Sequence, residues 1–188
     1  MNDLNRLIDR LALDTAIKEE DIPEIDLYMD QVIQLFDAKY GTTIRSDEDK
    51  VLTKTMINNY AKGKLFVPIK NKKYSKQHIM LINLIYHLKG SLSISDVKET
   101  LSPLKEKMAS DEFTLNNFYQ YFISLQQNNK QVFLKEIQDL DKLTKELEAE
   151  EELQKLLLIS SLANMSNFYR RAAELLVDEL APKEKEKK

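Results

Sequence analysis

Residues 50–95 constrain the fold more than any other part of this chain, because residues that cap helices divide them into defined elements. Thr53 precedes a run with helical apolar spacing over residues 54–62, and Gly63 follows it. Threonine is favoured at the first cap of a helix and glycine just after its end. The pattern therefore predicts a short helix from Lys54 to Lys62.

The two faces of this helix differ in chemistry. Met56, Ile57 and Tyr60 are spaced i, i+1 and i+4, which predicts one apolar, packed face. The opposite face consists of polar side chains: Lys54, Thr55, Asn58, Asn59 and Lys62. An asparagine amide can read the edge of an adenine in the major groove, but it is equally at home on the polar surface of a helix.

The elements after this helix follow in a recognisable order. Helices are again expected after a capping serine and before a glycine or proline. The predicted elements are an extended apolar piece at 65–68, a basic turn at 70–73 that returns at Tyr74, a helix at 76–89 capped by Ser75, and a helix at 94–101 capped by Ser93 and limited by Pro103.

Charge is segregated along the chain. Residues 50–95 contain nine lysines and no acidic residue, whereas the chain as a whole has a formal net charge of −3. The remainder therefore carries a net charge of −12. Such segregation is typical of a surface that binds a polyanion, with nucleic acid the leading candidate. The predicted DNA-contacting residues are Thr53, Lys54, Thr55, Asn58, Asn59, Lys62, Lys64, Lys70, Lys72, Lys73 and Lys76.

The order of these elements resembles the winged helix-turn-helix domain of MerR-type transcription regulators. The matching residues are Leu52-Thr53 and Tyr60 on the second helix, Leu65-Phe66-Val67-Pro68, Lys70, Tyr74 with His78-Ile79, and Ser93 to Val97. The segments IDLYMDQV, LTKTMINNY and KKYSKQHI also resemble an uncharacterised bacterial family of MerR-like proteins, a domain of unknown function. Asn58-Asn59 departs from the Arg-Tyr that MerR-type proteins usually have there. The resemblance implies DNA binding as a homodimer that pairs through helices after the reading head.

Composition predicts a mainly helical (all-α) protein, because only three glycines and four prolines occur in 188 residues. The resemblance to MerR-type proteins implies a small two-stranded wing in addition. The absence of cysteine excludes disulfides and thiolate metal sites, and two histidines disfavour a histidine metal site. No cofactor is expected. No apolar run approaches the ~20 residues of a membrane helix, so we expect no membrane partner and a cytoplasmic location. The sequence carries no phosphate loop or catalytic triad, and we expect it not to be an enzyme.

The remaining segments suggest four regions. They are an N-terminal helix within 1–22, the winged-helix domain at 23–103, a helical dimerisation and effector module at 104–181, and a disordered tail at 182–188. Within them, helices are predicted at 1–18, 25–39, 110–127, 132–147 and 153–180, with a loop at 42–49 and a break at Asn128-Asn129. The last helix is so apolar that burial on more than one side is expected.

Three functions remain open at this point. The first is a sequence-specific DNA-binding regulator whose C-terminal helices pair in a homodimer and hold an unidentified small effector in an apolar pocket. The second is a helical adaptor protein that keeps the winged-helix fold without binding DNA. The third, single-stranded nucleic acid binding, has little support because the aromatic residues lie on apolar helix faces rather than on a stacking platform. His78 is expected equally to contact a phosphate or to face water, and Tyr60 and Tyr74 to pack.

Overall fold

The computed structural model describes residues 3–46, 48–110 and 113–180. Within these ranges the chain forms seven α-helices and one two-stranded sheet. The mainly helical class with a small sheet is therefore confirmed. In chain order the elements are α1 Asp3–Arg10, β1 Leu27–Tyr28, α2 Met29–Tyr40, α3 Lys54–Lys62, β2 Lys73–Tyr74, α4 Lys76–Leu88, α5 Ile94–Lys107, α6 Leu115–Lys145 and α7 Glu151–Leu180. Short 3₁₀ turns lie at Glu19–Asp21 and Gly41–Thr43. The predicted tail at 182–188 lies outside the described residues.

The small sheet joins two parts of the chain that are distant in sequence. β1 pairs antiparallel with β2, so that Leu27 faces Tyr74 and Tyr28 faces Lys73. The helix that the sequence predicts from residue 25 is wrong over its first turn, because residues 27 and 28 form β1 and the helix begins only at Met29. The extended piece predicted at 65–68 lies outside both strands of the sheet.

Helix α4 forms the centre of the core. Its residues from His78 to Ile85 are all buried, including the polar Asn83. A helix that is buried on every side must be surrounded by other elements, and the buried apolar cluster around α4 extends from Ile17 to Val177.

The N-terminal segment reaches this core in an extended form rather than as a helix. The helix predicted over 1–18 is wrong beyond Arg10, where α1 ends, and Ala12 has a left-handed φ of 48°. Ile17 is fully buried, and its backbone groups are held by two tyrosine hydroxyls. The Ile17 N–H donates to Tyr40 Oη over 3.2 Å, and Tyr119 Oη donates to the Ile17 carbonyl over 2.6 Å.

These two tyrosines belong to a buried network whose proton positions follow from its geometry. The Ile17 carbonyl can only accept, so Tyr119 gives it its proton and accepts from Asn83 Nδ2 over 2.7 Å. Asn83 Oδ1 must then accept from Tyr40 Oη, also over 2.7 Å. Tyr40 has no second proton, and so the His87 Nε2–H donates to it over 3.1 Å. His87 is therefore the Nε2–H tautomer.

Burial accounts for the titration of this network. It raises the pKa of Tyr40 to about 12 and lowers the pKa of His87 to about 4, because each ring would carry its charge away from water. Burial likewise raises the pKa of Tyr119. All of these groups are neutral near pH 7.

Two helices of the C-terminal half continue through positions at which the sequence predicts that a helix ends. α5 continues through Pro103 to Lys107, and α6 is one helix from Leu115 to Lys145 that includes Asn128 and Asn129. The reason is packing. Leu101 and Leu104 are buried on either side of the proline, and buried positions on α6 flank the exposed asparagine pair. In a helix interior an asparagine costs about 0.7 kcal/mol and a proline about 3 kcal/mol. Burying one leucine contributes about 1.5–3 kcal/mol, so the two buried leucines offset the proline.

Helix α7 is far more exposed than its sequence predicts. Only Val177 is buried along its thirty residues, so the expected burial on more than one side is wrong. Its exposed large apolar residues are Leu153, Leu156, Leu157, Ile159, Phe168, Tyr169, Leu175, Leu176 and Leu180. None of the described helices has the length and apolarity that crossing a membrane requires.

Candidate nucleic-acid interface

Helix α3 has the bounds and the two faces that the sequence predicts. Thr53 caps it, because its Oγ1 accepts the Met56 N–H over 3.1 Å, and the Gly63 N–H closes the last turn on the Asn59 carbonyl over 2.8 Å. Ile57 and Tyr60 are buried. The exposed side chains are Lys54, Thr55, Asn58, Asn59 and Lys62.

The chain leaves α3 through a strained residue. Gly63 has an ordinary φ of −70°, and it is Lys64 that adopts the left-handed conformation, with φ 56°. The Lys64 side chain is exposed, while its carbonyl accepts the Lys105 Nζ of α5 over 3.0 Å. Helix α5 therefore holds the exit from α3 in place.

The basic turn is a tight hairpin. Asn71 and Lys72 both have left-handed φ angles, 51° and 59°, and the Lys73 N–H donates to the Lys70 carbonyl over 2.9 Å. Two consecutive left-handed residues define a type I′ turn, the geometry that matches the twist of paired strands. The turn leaves Lys70 and Lys72 exposed at its tip.

Buried aromatic side chains pack next to the basic turn at 70–73. Phe66 packs edge-on against Tyr74, with ring centroids 6.3 Å apart, and against His78 at 5.8 Å. Tyr60 and Tyr74 are almost completely buried, as the packing role predicted for them requires. Burial raises the pKa of Tyr60 to about 12, and its hydroxyl has no hydrogen-bond partner among the described residues.

The start of α3 and the turn meet at the same end of α2. Lys54 Nζ lies 2.7 Å from the Asp30 carboxylate in the first turn of α2. Lys73 Nζ lies 5.2 Å from the centroid of the Tyr28 ring, on the residue that precedes α2. Tyr28 and Asp30 are two positions apart, so the polar face of α3 and the basic turn are neighbours.

Lys76 and His78 differ from the other predicted residues. Lys76 is mostly enclosed and forms ion pairs with Glu24 and, at 3.4 Å, with Glu19. Hydrogen bonding to Glu24 raises the pKa of Lys76. His78 is buried. Its Nδ1 accepts the Ser75 N–H over 3.2 Å, so its Nε2–H donates to the Val67 carbonyl over 3.1 Å. His78 thus neither faces water nor is free for a phosphate, and both positions expected for it are wrong.

The remaining predicted residues are exposed, except Thr53, the cap of α3, and Lys73 of β2, which are partly buried. Sequence reasoning missed Tyr28 and Asp30, which hold Lys73 and Lys54. Both residues lie outside the acid-free segment, and only the pairing of β1 with β2 brings them beside it. Asp30 neutralises part of the charge that the segment alone would present.

A metal site is not part of this surface. Within residues 3–46, 48–110 and 113–180, no group of three or more histidine and acidic side chains converges as a metal ion would require. What the surface offers is a row of lysine ammonium groups, two exposed asparagine amides and a threonine hydroxyl.

Comparison with known proteins gives one match. Residues 17–122, more than half of the chain, match a family described as a domain of unknown function, DUF1836. The matched part includes the sheet, helices α2 to α5 and the first turns of α6. No curated protein and no solved structure matches the chain significantly.

Proposed function

The chain belongs to the DUF1836 family, a domain of unknown function, and we propose that it is a sequence-specific regulator that binds double-stranded DNA as a dimer. In this proposal α3 enters the major groove and the turn at 70–73 contacts the flanking phosphates. The observation that carries the proposal is the meeting of the polar face of α3 with the basic turn at the start of α2.

The dimensions of α3 suit a DNA groove. An α-helix with its side chains is about 10–12 Å in diameter, and the major groove of B-DNA is about 12 Å wide and admits one helix. Asn58 and Asn59 are exposed on the face that would meet the bases, where a bidentate amide contact contributes about 1–3 kcal/mol of discrimination. Lys70, Lys72 and Lys73 would bind phosphates, which positions the protein without reading sequence.

A dimer follows from the small size of this reading head. One short helix reads too few base pairs to select a site, and two-fold symmetric pairing doubles the site. The exposed face of α7 supplies a surface for such pairing. Its stripe consists of residues with a symmetric spacing about Asn164: Leu153, Leu157, Ser160, Asn164, Phe168, Arg171 and Leu175.

This stripe is self-complementary in an antiparallel pair. With Asn164 on the two-fold axis, Leu153 of one subunit lies opposite Leu175 of the other, and the small Ser160 lies opposite the large Phe168. Leu157 lies opposite Arg171, whose methylene stem can pack on the leucine while its guanidinium group stays in water. A two-fold interface must match the same patch on both subunits in this way. The two Asn164 amides would meet each other on the axis, where each can donate and accept.

The test of DNA binding uses charge-matched variants on DNA from upstream of the protein's own gene. We expect the triple substitution Lys70→Ala, Lys72→Ala, Lys73→Ala to weaken binding to all sequences. It should also flatten the dependence of log K on log salt by about 0.9 for each phosphate that is no longer neutralised. The control triple removes three exposed lysines elsewhere, Lys98→Ala, Lys107→Ala and Lys135→Ala, and should change neither. Equal effects of the two triple substitutions on DNA affinity and its salt dependence would refute the proposal that the turn at 70–73 binds phosphates.

Specificity is tested separately on α3. Asn58→Ala with Asn59→Ala should reduce the ratio of operator to random-DNA affinity by roughly 5- to 150-fold for each base that is no longer read, with random-DNA affinity nearly unchanged. Equal decreases in affinity for both DNAs would assign the amides to backbone contacts.

The adaptor function remains the second candidate, and the exposed apolar face of α7 is the observation that favours it. The same face that would pair two copies could instead bind another protein. A protein that is monomeric and shows no salt-dependent DNA affinity would support the adaptor and refute the regulator.

A further inference from the structure

A cavity lies between the N-terminal segment and the middle of α6. It has a volume of about 620 Å³, within the range of sites that hold small molecules. Residues 11–16 form one wall, His87 at the end of α4 forms another, and residues 126–133 of α6 form the third. Leu11, Leu13 and Phe133 give it apolar surface.

His87 presents a hydrogen-bond acceptor at this cavity. The buried network fixes its proton on Nε2, which donates to Tyr40 Oη. Nδ1 is therefore an acceptor, and it has no hydrogen-bond donor among the described residues. A neutral imidazole with one nitrogen fully used and the other unused is ready to accept a donor from a bound molecule.

Gln126 provides a second acceptor on the opposite wall. Its side chain lines the cavity, and its Oε1 is sealed from water without a donor among the described residues. An unsatisfied buried acceptor is costly and calls for an explanation. The last torsion of glutamine is broad, so rotation about this bond can bring the oxygen to a molecule in the cavity.

The charges at the rim indicate a neutral molecule. Asp14 pairs with Lys130 of α6, and Lys18, which also lines the cavity, lies 3.7 Å from the Glu20 carboxylate, so each charge at the rim has an opposite partner. The burial that keeps His87 neutral would equally penalise an ionised ligand. The lining is mixed, because the polar side chains Thr15, Gln127 and Asn129 lie beside the apolar ones. Apolar surface together with two acceptors fits a molecule that has an apolar body and N–H donors.

We propose that this cavity binds a small neutral aromatic molecule that carries two N–H donors, of the arylurea or arylcarboxamide kind. One donor meets His87 Nδ1, the other meets Gln126 Oε1, and the ring packs on Phe133. The site is independent of the DNA surface. It does, however, contact Tyr40, the last residue of α2, through the His87 hydrogen bond.

The test compares two neutral probes of similar size on the full-length, ¹⁵N-labelled protein. Phenylurea carries N–H donors, and methyl benzoate carries only acceptors. We expect phenylurea to shift the amide signals of residues 11–16 and the Nδ1 signal of His87, and methyl benzoate to leave that ring nitrogen unchanged.

A matched pair of variants on α6 completes the design. Gln126→Leu should weaken phenylurea binding about fivefold, the factor that one net hydrogen bond supplies, and should leave thermal stability equal or higher because an unsatisfied acceptor is removed. Gln131→Leu, at an exposed position on the same helix, should leave phenylurea binding unchanged. No response to phenylurea, equal responses to both probes, or an unaffected Gln126→Leu variant would each overturn the proposal. DNA plays no part in these measurements, so their failure leaves the proposed DNA binding untouched.

Discussion

Leu175→Ala tests whether α7 pairs with a second copy of itself. Leu175 is 66 % exposed, so the substitution should change the stability of the monomer by less than about 0.5 kcal/mol. Full burial of a leucine is worth about 1.5–3 kcal/mol. Burying the exposed two-thirds of this side chain should therefore contribute about 1–2 kcal/mol per subunit.

Because both subunits of a symmetric dimer carry the Leu175→Ala substitution, this contribution to the dimerisation free energy is lost twice. The expected cost is about 2–4 kcal/mol, which corresponds to a roughly 30- to 700-fold weaker dimer, since 1.4 kcal/mol is a factor of ten. Sedimentation equilibrium over a range of protein concentrations measures the dissociation constant directly. The control is Leu125→Ala, on α6 and outside the stripe, at a leucine with a similar exposure of 61 %.

The antiparallel register has its own test, because the chain contains no cysteine. On mild oxidation, Asn164→Cys should form a disulfide with its own copy across the axis. Leu153→Cys alone should not, because the two copies of residue 153 would lie about 33 Å apart along the pair. Mixing Leu153→Cys with Leu175→Cys protein should yield the crossed disulfide. Self-crosslinking of Leu153→Cys would show a parallel pair instead. Equal dimer dissociation constants for Leu175→Ala and Leu125→Ala would refute the claim that the stripe on α7 is the dimer interface.

Four other perturbations test the interface, the buried network and the spacing of the two heads. Asp30→Asn should free Lys54 for phosphate and raise DNA affinity a few-fold with a steeper salt dependence, while folding stability changes by no more than ~1 kcal/mol; an unchanged affinity in a filter-binding titration would contradict this. The pKa of His87 is lowered from 6.5 to about 4, so between these values the unfolded chain binds more protons and stability falls as pH falls. The decrease by pH 4 should be about 3 kcal/mol in urea titrations, and the slope should flatten in His87→Gln. Tyr40→Phe leaves three buried polar groups without their partner and should cost about 2–4 kcal/mol. Tyr60→Phe removes a hydroxyl that has no partner among the described residues and should be neutral or stabilising; equal destabilisation in both would refute the network. Inserting about five base pairs, half a helical turn, between two half-sites should abolish binding of the dimer to both of them. Unchanged binding in a gel shift would show that the α3-containing parts of the two subunits move independently.

The parts of the fold that can be predicted from sequence are those set by local chemistry. Thr53 and Gly63 mark the bounds of α3, since the cap and the closing hydrogen bond lie within the helix itself. The basic turn is likewise visible at residues 70–73. Strand β1 is not, because two residues carry no period, and Ile25 and Tyr28 fit a helical pattern equally well.

Most of the failures have one cause in common, which is packing between distant segments, while the exposure of α7 has a different cause. Ile17 leaves the expected helix because the hydroxyls of Tyr40 and Tyr119 take over its backbone hydrogen bonds. Pro103 stays inside α5 because buried leucines flank it. Helix α7 has the composition of a buried helix, and the surface that would bury it is absent from the chain's own described residues. The position of Asp30 next to the candidate interface cannot be predicted from sequence either, because it depends on the pairing of β1 with β2.

The head that carries α3 and the module that ends in α7 share one core, and this affects how a dimer would read DNA. Asn83 of α4 joins Tyr40 of α2 to Tyr119 of α6, and all three side chains are buried. The buried cluster continues from there to Val177 on α7. Close-packed interiors transmit displacement rather than absorb it. In the proposed dimer, the distance between the two copies of α3 would therefore be set by side-chain packing rather than by the length of a linker. A change in the network around Asn83 would then alter the preferred spacing of half-sites without touching a residue that contacts DNA.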